Sequence, residues 1–221
     1  MTPRPDKPRA ILASLSWPNR ITLLRFVLVI PFVMALLQMR EHGDTARYIA
    51  LGLFVFMALS DAADGILARV LNQRSLLGTI LDPLADKVLI ISSTVLLAIP
   101  AVTHEAMRLP SWVVVAVVAK DVWVMMGCEV IVLVTGKLYM GPTPSGKLST
   151  VVQALMVGFA LIAPEMNALR EGLGHTIVFA ASGAVTALCA LAIMSYTRIG
   201  LSHMAEVQCQ LTAKDADHGT D

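Results

Sequence analysis

Residues 61–86 read DAADGILARVLNQRSLLGTILDPLAD, and four aspartates stand in this largely apolar stretch. Asp61 and Asp64 are three residues apart, so the pair shares one face if its segment is helical. Asp82 and Asp86 are four residues apart, and the same argument applies to them. We expect two antiparallel helices joined by the polar residues between the pairs. At about 1.5 Å per residue, all four carboxylates then lie about 9–14 Å from the end that the helices share.

The composition of the chain indicates that these acids lie in a membrane. Of its 221 residues, 56% are hydrophobic and 15% are charged, and the mean hydropathy is +0.71. A soluble domain carries about 25% charged residues. The formal net charge of +1 argues against nucleic acid as the main partner. We therefore predict an integral membrane protein surrounded by lipid.

Six segments are apolar over roughly the 20 residues that a spanning helix needs. They are residues 21–39, 46–71, 77–100, 111–135, 149–163 and 176–199. Ahead of them, residues 9–17 are typical of a short interfacial helix that ends at Trp17, before Pro18 interrupts the chain. The predicted fold is all-α and integral to the membrane, with six transmembrane helices after this N-terminal helix. We expect one membrane domain, residues 1–201, and a disordered polar tail, residues 202–221.

Basic residues that flank the spans predict the orientation. One side collects Arg4, Lys7, Arg9, Arg20, Arg69, Arg74, Lys137, Lys147, Arg198 and Lys214. The other side collects Arg40, Arg47, Arg108 and Arg170. The excess puts both termini in the cytosol, with the aspartates opening to the same side. If the chain is bacterial, the membrane is the inner membrane.

Carboxylates at this depth need a compensating charge. An ionisable group at the centre of a bilayer costs at least about 2.5 kcal/mol. Four of them can share a small site of low dielectric constant only if they are protonated or bind cations. Ligands that are all oxygen favour Mg²⁺ or Mn²⁺, and four carboxylates suggest two ions. The alternative interpretations are hydrogen bonding between helices and a pathway for protons or cations.

The same stretch matches the pattern D-x2-D-G-x2-A-R-x8-G-x3-D-x3-D at every fixed position. This pattern resembles the signature of the CDP-alcohol phosphatidyltransferases, and residues 18–25, PNRITLLR, resemble the start of that family's first helix. The resemblance covers residues 18–88 well. It implies a membrane enzyme of phospholipid biosynthesis that transfers a phosphatidyl group from CDP-diacylglycerol to a small alcohol and releases CMP. It also implies a homodimer.

The resemblance assigns roles to individual residues. Asp61, Asp64 and Asp82 are expected to hold the metal ions, and Asp86 to be the general base, also near a metal. The residues expected to bind the CDP-lipid are Asn19, Thr22, Gly65, Ala68, Arg69, Ser75 and Gly78. The small residues among them permit close approach of the nucleotide, although small residues also serve helix packing. Arg69 is expected to pair with phosphate, although an arginine at the cytosolic edge of a span is also a common orientation signal.

The acceptor is less sharply indicated. Residues 81–89, LDPLADKVL, look like the phosphatidylglycerophosphate synthase branch, whose acceptor is glycerol 3-phosphate. Lys120, Lys147 and Arg198 are candidates to bind its phosphate. Residues 145–153, SGKLSTVVQ, resemble both that branch and the CMP-forming cardiolipin synthases. Phosphatidylglycerol, or another alcohol such as an inositol phosphate, therefore stays an alternative acceptor.

Each cation in this set also has a simpler interpretation. Lys147 and Arg198 are equally well explained as positive-inside residues, and Lys120 by pairing with its neighbour Asp121. A cation or proton transporter is a remote alternative for the whole chain. That function requires neither Gly65 nor Arg69, and the repeated halves common in transporters are not visible in the sequence.

Overall fold

The computed structural model describes the backbone of residues 17–71, 76–135 and 143–218, and the side chains of residues 24–60, 84–127, 129–130 and 143–202. Within these ranges all regular structure is helical. The helices are α1 (Trp17–Leu37), α2 (Met39–Leu71), α3 (Leu76–Ala98), α4 (Ser111–Thr135), α5 (Pro144–Leu169) and α6 (Leu173–His218), with a short 3-10 helix at Glu105–Met107. The predicted interfacial helix, residues 9–17, lies outside the described residues except for Trp17.

Each predicted apolar segment corresponds to one of these helices, in the predicted order, and α4 has the predicted bounds. Within the described ranges, three segments are long and apolar enough to cross a membrane: Glu105–Gly127, Pro144–Leu169 and Leu173–Ser202. Leu24–Leu37 is a shorter apolar helix. Apolar side chains such as Ile30, Val115 and Leu155 are exposed, as expected of surfaces that face lipid.

At the start of the fold, one detail differs from expectation and a second was not predicted. Pro18 does not interrupt the chain before the first span, because α1 begins at Trp17 and includes Pro18 in its first turn. Proline is tolerated there, since the first N–H groups of a helix have no partner within the helix. Helix α2 is broken at Gly43, whose φ of 57° and ψ of −132° are not helical. Glycine adopts this backbone without a Cβ clash.

The last helix is longer than expected. We predicted a disordered tail after residue 201, whereas α6 continues to His218. Residues 204–214 contain many strong helix formers, including alanine, glutamine, glutamate and leucine. Extending an existing helix needs no new nucleus, so these polar residues continue it at little cost. The domain boundary itself stays a prediction.

The described residues form two compact units. The first contains Val157–His175 and the part of the chain up to Arg108. Its core follows a stripe along α1, where Arg25, Val29, Phe32 and Leu36 are buried at intervals of three or four residues. Within this unit, α1 packs against both α2 and α3. The rings of Phe32 and Phe54 are 6.1 Å apart and tilted.

The second unit contains Leu109–Met156 and the chain from Thr176 onward. Its core has a buried stripe along α6 that includes Val178, Ser182, Val185 and Cys189. Small and polar residues are enriched between membrane helices because they allow close approach and hydrogen bonds. Here the amide nitrogen of Gln153 donates to the sulfur of Cys189 at 3.3 Å.

Candidate active site

The four motif aspartates lie on two consecutive helices. Asp61 and Asp64 are in α2, and Asp82 and Asp86 are in α3. The helical backbone therefore gives each pair the register that its spacing predicts. The side chains of Asp61, Asp64 and Asp82 lie outside the described residues. The convergence of all four carboxylates accordingly stays a prediction.

Asp86 is the one motif aspartate whose side chain the structure describes. Its Oδ1 accepts a hydrogen bond from Nη1 of Arg25 at 2.9 Å, and the two groups form an ion pair. The Arg25 side chain is only 2% exposed, whereas that of Asp86 is 34% exposed. A carboxylate has about four lone-pair positions, so the bond to Arg25 leaves capacity for further ligands.

Arg25 was not among the site residues expected from the sequence, although it ends the stretch PNRITLLR that resembles the start of the family's first helix. It belongs to the stripe of α1 that packs against α2 and α3. The helical spacing of the sequence could have indicated that Arg25 is buried. Arg25 precedes Val29 by four residues and continues the apolar stripe toward the start of α1. A charge on a buried stripe requires a counter-charge on a neighbouring helix.

The expected contacts to the CDP-lipid fall on parts of the chain with no described side chains. Asn19 and Thr22 are in α1, and Gly78 is in α3. Gly65, Ala68 and Arg69 are in the last turns of α2. Ser75 lies entirely outside the described residues. Their roles stay predictions.

Lys120 is paired with its neighbour, as the simpler interpretation expected. Its Nζ lies 3.1 Å from Oδ1 of Asp121, and the two side chains are 6% and 11% exposed. The ion pair is thus buried within α4. Of the three candidate acceptor residues, Lys120 is the least accessible.

Lys147 and Arg198 are exposed and lie on neighbouring segments of the second unit. Thr143 caps the start of α5, since its Oγ1 accepts a hydrogen bond from the backbone N–H of Gly146 at 3.1 Å. The backbone N–H of Thr143 donates to the hydroxyl of Tyr196 at 3.3 Å. The turn that carries Lys147 therefore contacts α6 two residues before Arg198.

Helix α4 reaches the same level of α6. The indole Nε1 of Trp123 donates to Oγ1 of Thr197 at 3.0 Å. Lys120 lies three residues before Trp123, about one turn along α4. Helix α4 and the residue before α5 thus each contact α6, at residues 197 and 196 respectively. Lys147 and Arg198 lie exposed on two of the segments that these contacts bring together, so both are accessible to a small anion.

The described side chains test the predicted metal site only at Asp86. Among the side chains that the structure describes, no group of three or more His, Cys, Asp or Glu residues lies together. Of the four motif aspartates, only Asp86 belongs to that set. Metal binding stays a prediction from the motif.

Comparisons with known proteins cover most of the chain. The sequence profile of the CDP-alcohol phosphatidyltransferase family matches residues 15–198. A Mycobacterium tuberculosis protein provisionally named phosphatidylglycerophosphate synthase is 34% identical over 157 residues, which are 70% of this chain and 68% of that protein. A Bacillus subtilis protein named CDP-diacylglycerol–glycerol-3-phosphate 3-phosphatidyltransferase is 29% identical over 154 residues, 66% of this chain and 76% of that one.

A third relative carries a different name. A Mycobacterium bovis protein provisionally named cardiolipin synthase is 30% identical over 148 residues, which are 67% of this chain and 64% of that protein. The profile match extends from before the start of α1 into α6 and includes the complete aspartate motif. The chain therefore belongs to the CDP-alcohol phosphatidyltransferase family, and it is a phosphatidyltransferase of phospholipid biosynthesis with membrane-capable helices.

Proposed function

We propose that this enzyme transfers the phosphatidyl group of CDP-diacylglycerol to glycerol 3-phosphate and releases CMP. The observation that carries the proposal is the complete aspartate motif on α2 and α3, within a chain that the family profile matches over residues 15–198. The names of the relatives from Mycobacterium tuberculosis and Bacillus subtilis support glycerol 3-phosphate as the acceptor.

The donor set of the motif fits two hard divalent cations, Mg²⁺ or Mn²⁺. Asp61, Asp64, Asp82 and Asp86 would hold them through carboxylate oxygens. The partly exposed Asp86 carboxylate supports the fit, because a carboxylate has more lone-pair positions than the bond from Arg25 uses. When bound, such ions neutralise the charge on the pyrophosphate of the donor.

The protein residues orient the donor and remove one proton. Arg69 binds a phosphate oxygen, and the small residues Gly65 and Ala68 let the nucleotide approach α2. Asp86 accepts the proton of the acceptor hydroxyl. The hydroxyl oxygen then bonds to the phosphorus that carries diacylglycerol. The bond from this phosphorus to the bridging pyrophosphate oxygen breaks, and CMP leaves with the electron pair.

The acceptor phosphate binds near residues 196 and 197 of α6, which contact the start of α5 and helix α4. Lys147 and Arg198 are exposed there, and the contact between Thr143 and Tyr196 keeps their segments adjacent. Arginine and lysine bind phosphate through charge-assisted hydrogen bonds. Lys120 is buried and paired with Asp121, so Lys147 and Arg198 are the more accessible partners for the acceptor phosphate.

The proposal also covers the setting of the enzyme. Six helices span the membrane with both termini in the cytosol, and the active site opens to the same side, the inner membrane if the source is bacterial. The excess of basic residues on one side of the spans supports this orientation. The enzyme acts as a homodimer.

The test is an acceptor screen with purified enzyme. Labelled CDP-diacylglycerol and Mg²⁺ are incubated with glycerol 3-phosphate, phosphatidylglycerol or an inositol phosphate, and CMP release and the lipid product are measured. We expect turnover with glycerol 3-phosphate and none after chelation of the metal. Turnover with phosphatidylglycerol alone would favour cardiolipin synthesis, which the Mycobacterium bovis relative suggests.

The variant Lys147→Ala sharpens the screen. Because Lys147 is expected to contact the acceptor phosphate, its loss should raise KM for glycerol 3-phosphate by about tenfold and leave KM for the donor unchanged. Arg170→Ala is the matched control, since Arg170 is also an exposed cation but lies in the turn between α5 and α6. Equal acceptor KM values in the two variants would remove Lys147 from the acceptor site.

A further inference from the structure

Arg25 is a buried cation that contacts one of the motif aspartates, Asp86. It lies on the stripe of α1 that continues through Val29 and Phe32, and its side chain is 2% exposed. The packing of α1 against α2 and α3 therefore fixes where its guanidinium sits. That group lies 2.9 Å from Oδ1 of Asp86 on α3. The contact joins two residues that are 61 positions apart.

Stability alone is a weak reason for such a pair. Removing two charges from water costs several kcal/mol per ion, and apolar replacements of buried ion pairs are often neutral or stabilising. At position 25 a leucine or valine would continue the apolar stripe of α1. The arginine at this position therefore points to a role for the orientation of the Asp86 carboxylate.

Direct contact of Arg25 with the substrate does not fit the geometry. The arginine is enclosed by the helices, whereas Asp86 is the more exposed member of the pair. The guanidinium therefore lies behind the carboxylate, on its buried side. A planar guanidinium also restricts the carboxylate plane more than an ammonium does, because its N–H groups diverge in a fixed fork.

We propose that Arg25 is a positioning residue for the transfer reaction, which holds the carboxylate of Asp86 in the orientation that receives the acceptor proton. The proposal rests on the function proposed above, since it requires Asp86 to act in the reaction. Arg25 itself transfers no proton and contacts neither substrate.

The test compares Arg25→Lys with a matched variant. Lysine keeps the charge but loses the fork, so the Asp86 carboxylate can rotate. We expect kcat to fall by about 10- to 100-fold, the range that a displacement of about 1 Å produces. KM for both substrates should change by less than about threefold. Equilibrium binding of CDP-diacylglycerol without acceptor, a measurement independent of turnover, should also stay within about threefold of wild type.

Arg47→Lys is the matched control. Arg47 is also a buried arginine that forms an ion pair with a carboxylate from another helix, Glu165. It lies 14 residues before Asp61 on α2, about 21 Å along the helix. We expect this variant to lose stability but to retain wild-type kcat per folded enzyme.

Three results would overturn the proposal: kcat of Arg25→Lys within twofold of wild type, equal losses of kcat in the two lysine variants, or a rise in donor KM at unchanged kcat. If Arg25→Lys does not fold, Arg25→Gln provides the same comparison, because its amide can still donate to Asp86. Asp86→Asn separates the two proposals. Activity retained in that variant refutes the role of Asp86, whereas an inactive Asp86→Asn beside a fully active Arg25→Lys refutes only the inference about Arg25.

Discussion

At the residue scale, Asp86 combines two properties that a general base needs. Its side chain is accessible, and one of its oxygens is held by a fixed cation. The aspartate motif located Asp86 in the sequence, because its spacing is a local property. Arg25 was not assigned to the site, because nothing in the sequence pairs two residues 61 positions apart. The packing of α1 against α3 makes that contact.

The substitution Asp86→Asn tests the base directly. An amide cannot accept the proton, so kcat should fall by about 10²- to 10⁴-fold. The amide oxygen can still accept the hydrogen bond from Arg25, so the protein should fold, with a lower melting temperature because the buried cation loses its counter-charge. CMP release and thermal unfolding are measured on the same preparation.

Glu171→Gln is the control for this substitution. It also neutralises an acid, but Glu171 is exposed in the connection between α5 and α6. Its kcat should equal that of the wild type. Wild-type turnover in Asp86→Asn would exclude Asp86 as the base.

At the scale of helices, a cluster around Arg47 joins the start of α2 to α5. Pro164 lies inside α5 and removes one backbone N–H from that helix. In the same turn, Nη1 of Arg47 donates to the carbonyl oxygen of Leu161 at 3.1 Å and also bonds Glu165. The hydroxyl of Tyr48 donates to the other Glu165 oxygen at 2.7 Å. Arg47 therefore supplies donors where the proline weakens the helix.

The variant Arg47→Met should destabilise the protein by about 1–3 kcal/mol, because the buried Leu161 carbonyl loses a donor. The loss is moderate since Glu165 is partly exposed and can regain water. Arg40→Met, which removes an exposed bond to the Pro100 carbonyl, should cost less than about 0.5 kcal/mol. Thermal unfolding in detergent measures both. Lower activity per folded Arg47→Met enzyme at an unchanged melting temperature would contradict a purely structural role.

At the scale of the whole molecule, the described residues are all-helical, with two compact units and membrane-capable helices. Its orientation in the membrane cannot be inferred from single residues or single helices, since it depends on how the basic residues are distributed over the flanks of all the predicted spans. Ten of these residues lie on one predicted side and four on the other. The preference for lysine and arginine on the cytosolic side supports the proposal that both termini lie in the cytosol.

Cysteine labelling in intact cells tests this orientation. In a variant whose Cys128, Cys189 and Cys209 are replaced by alanine, His104→Cys should react with a maleimide that does not cross membranes, because residue 104 is exposed in the loop after α3. Asp221→Cys should react only after the cells are made permeable. The opposite pattern would invert the orientation and move the aspartates to the outer face.

The sequence by itself determined the helical class, the order of the helices and the class of enzyme. Apolar length and the spacing of Asp61 to Asp86 are local properties, and the backbone only has to be helical to express them. The bounds were less well predicted, as the start of α1 and the length of α6 illustrate, because neighbouring residues extend a helix that has already formed. Tertiary structure alone decided the ion pairs of Arg25 with Asp86 and of Arg47 with Glu165. Those contacts exist because separate helices pack with particular faces together, and no local pattern specifies which faces meet.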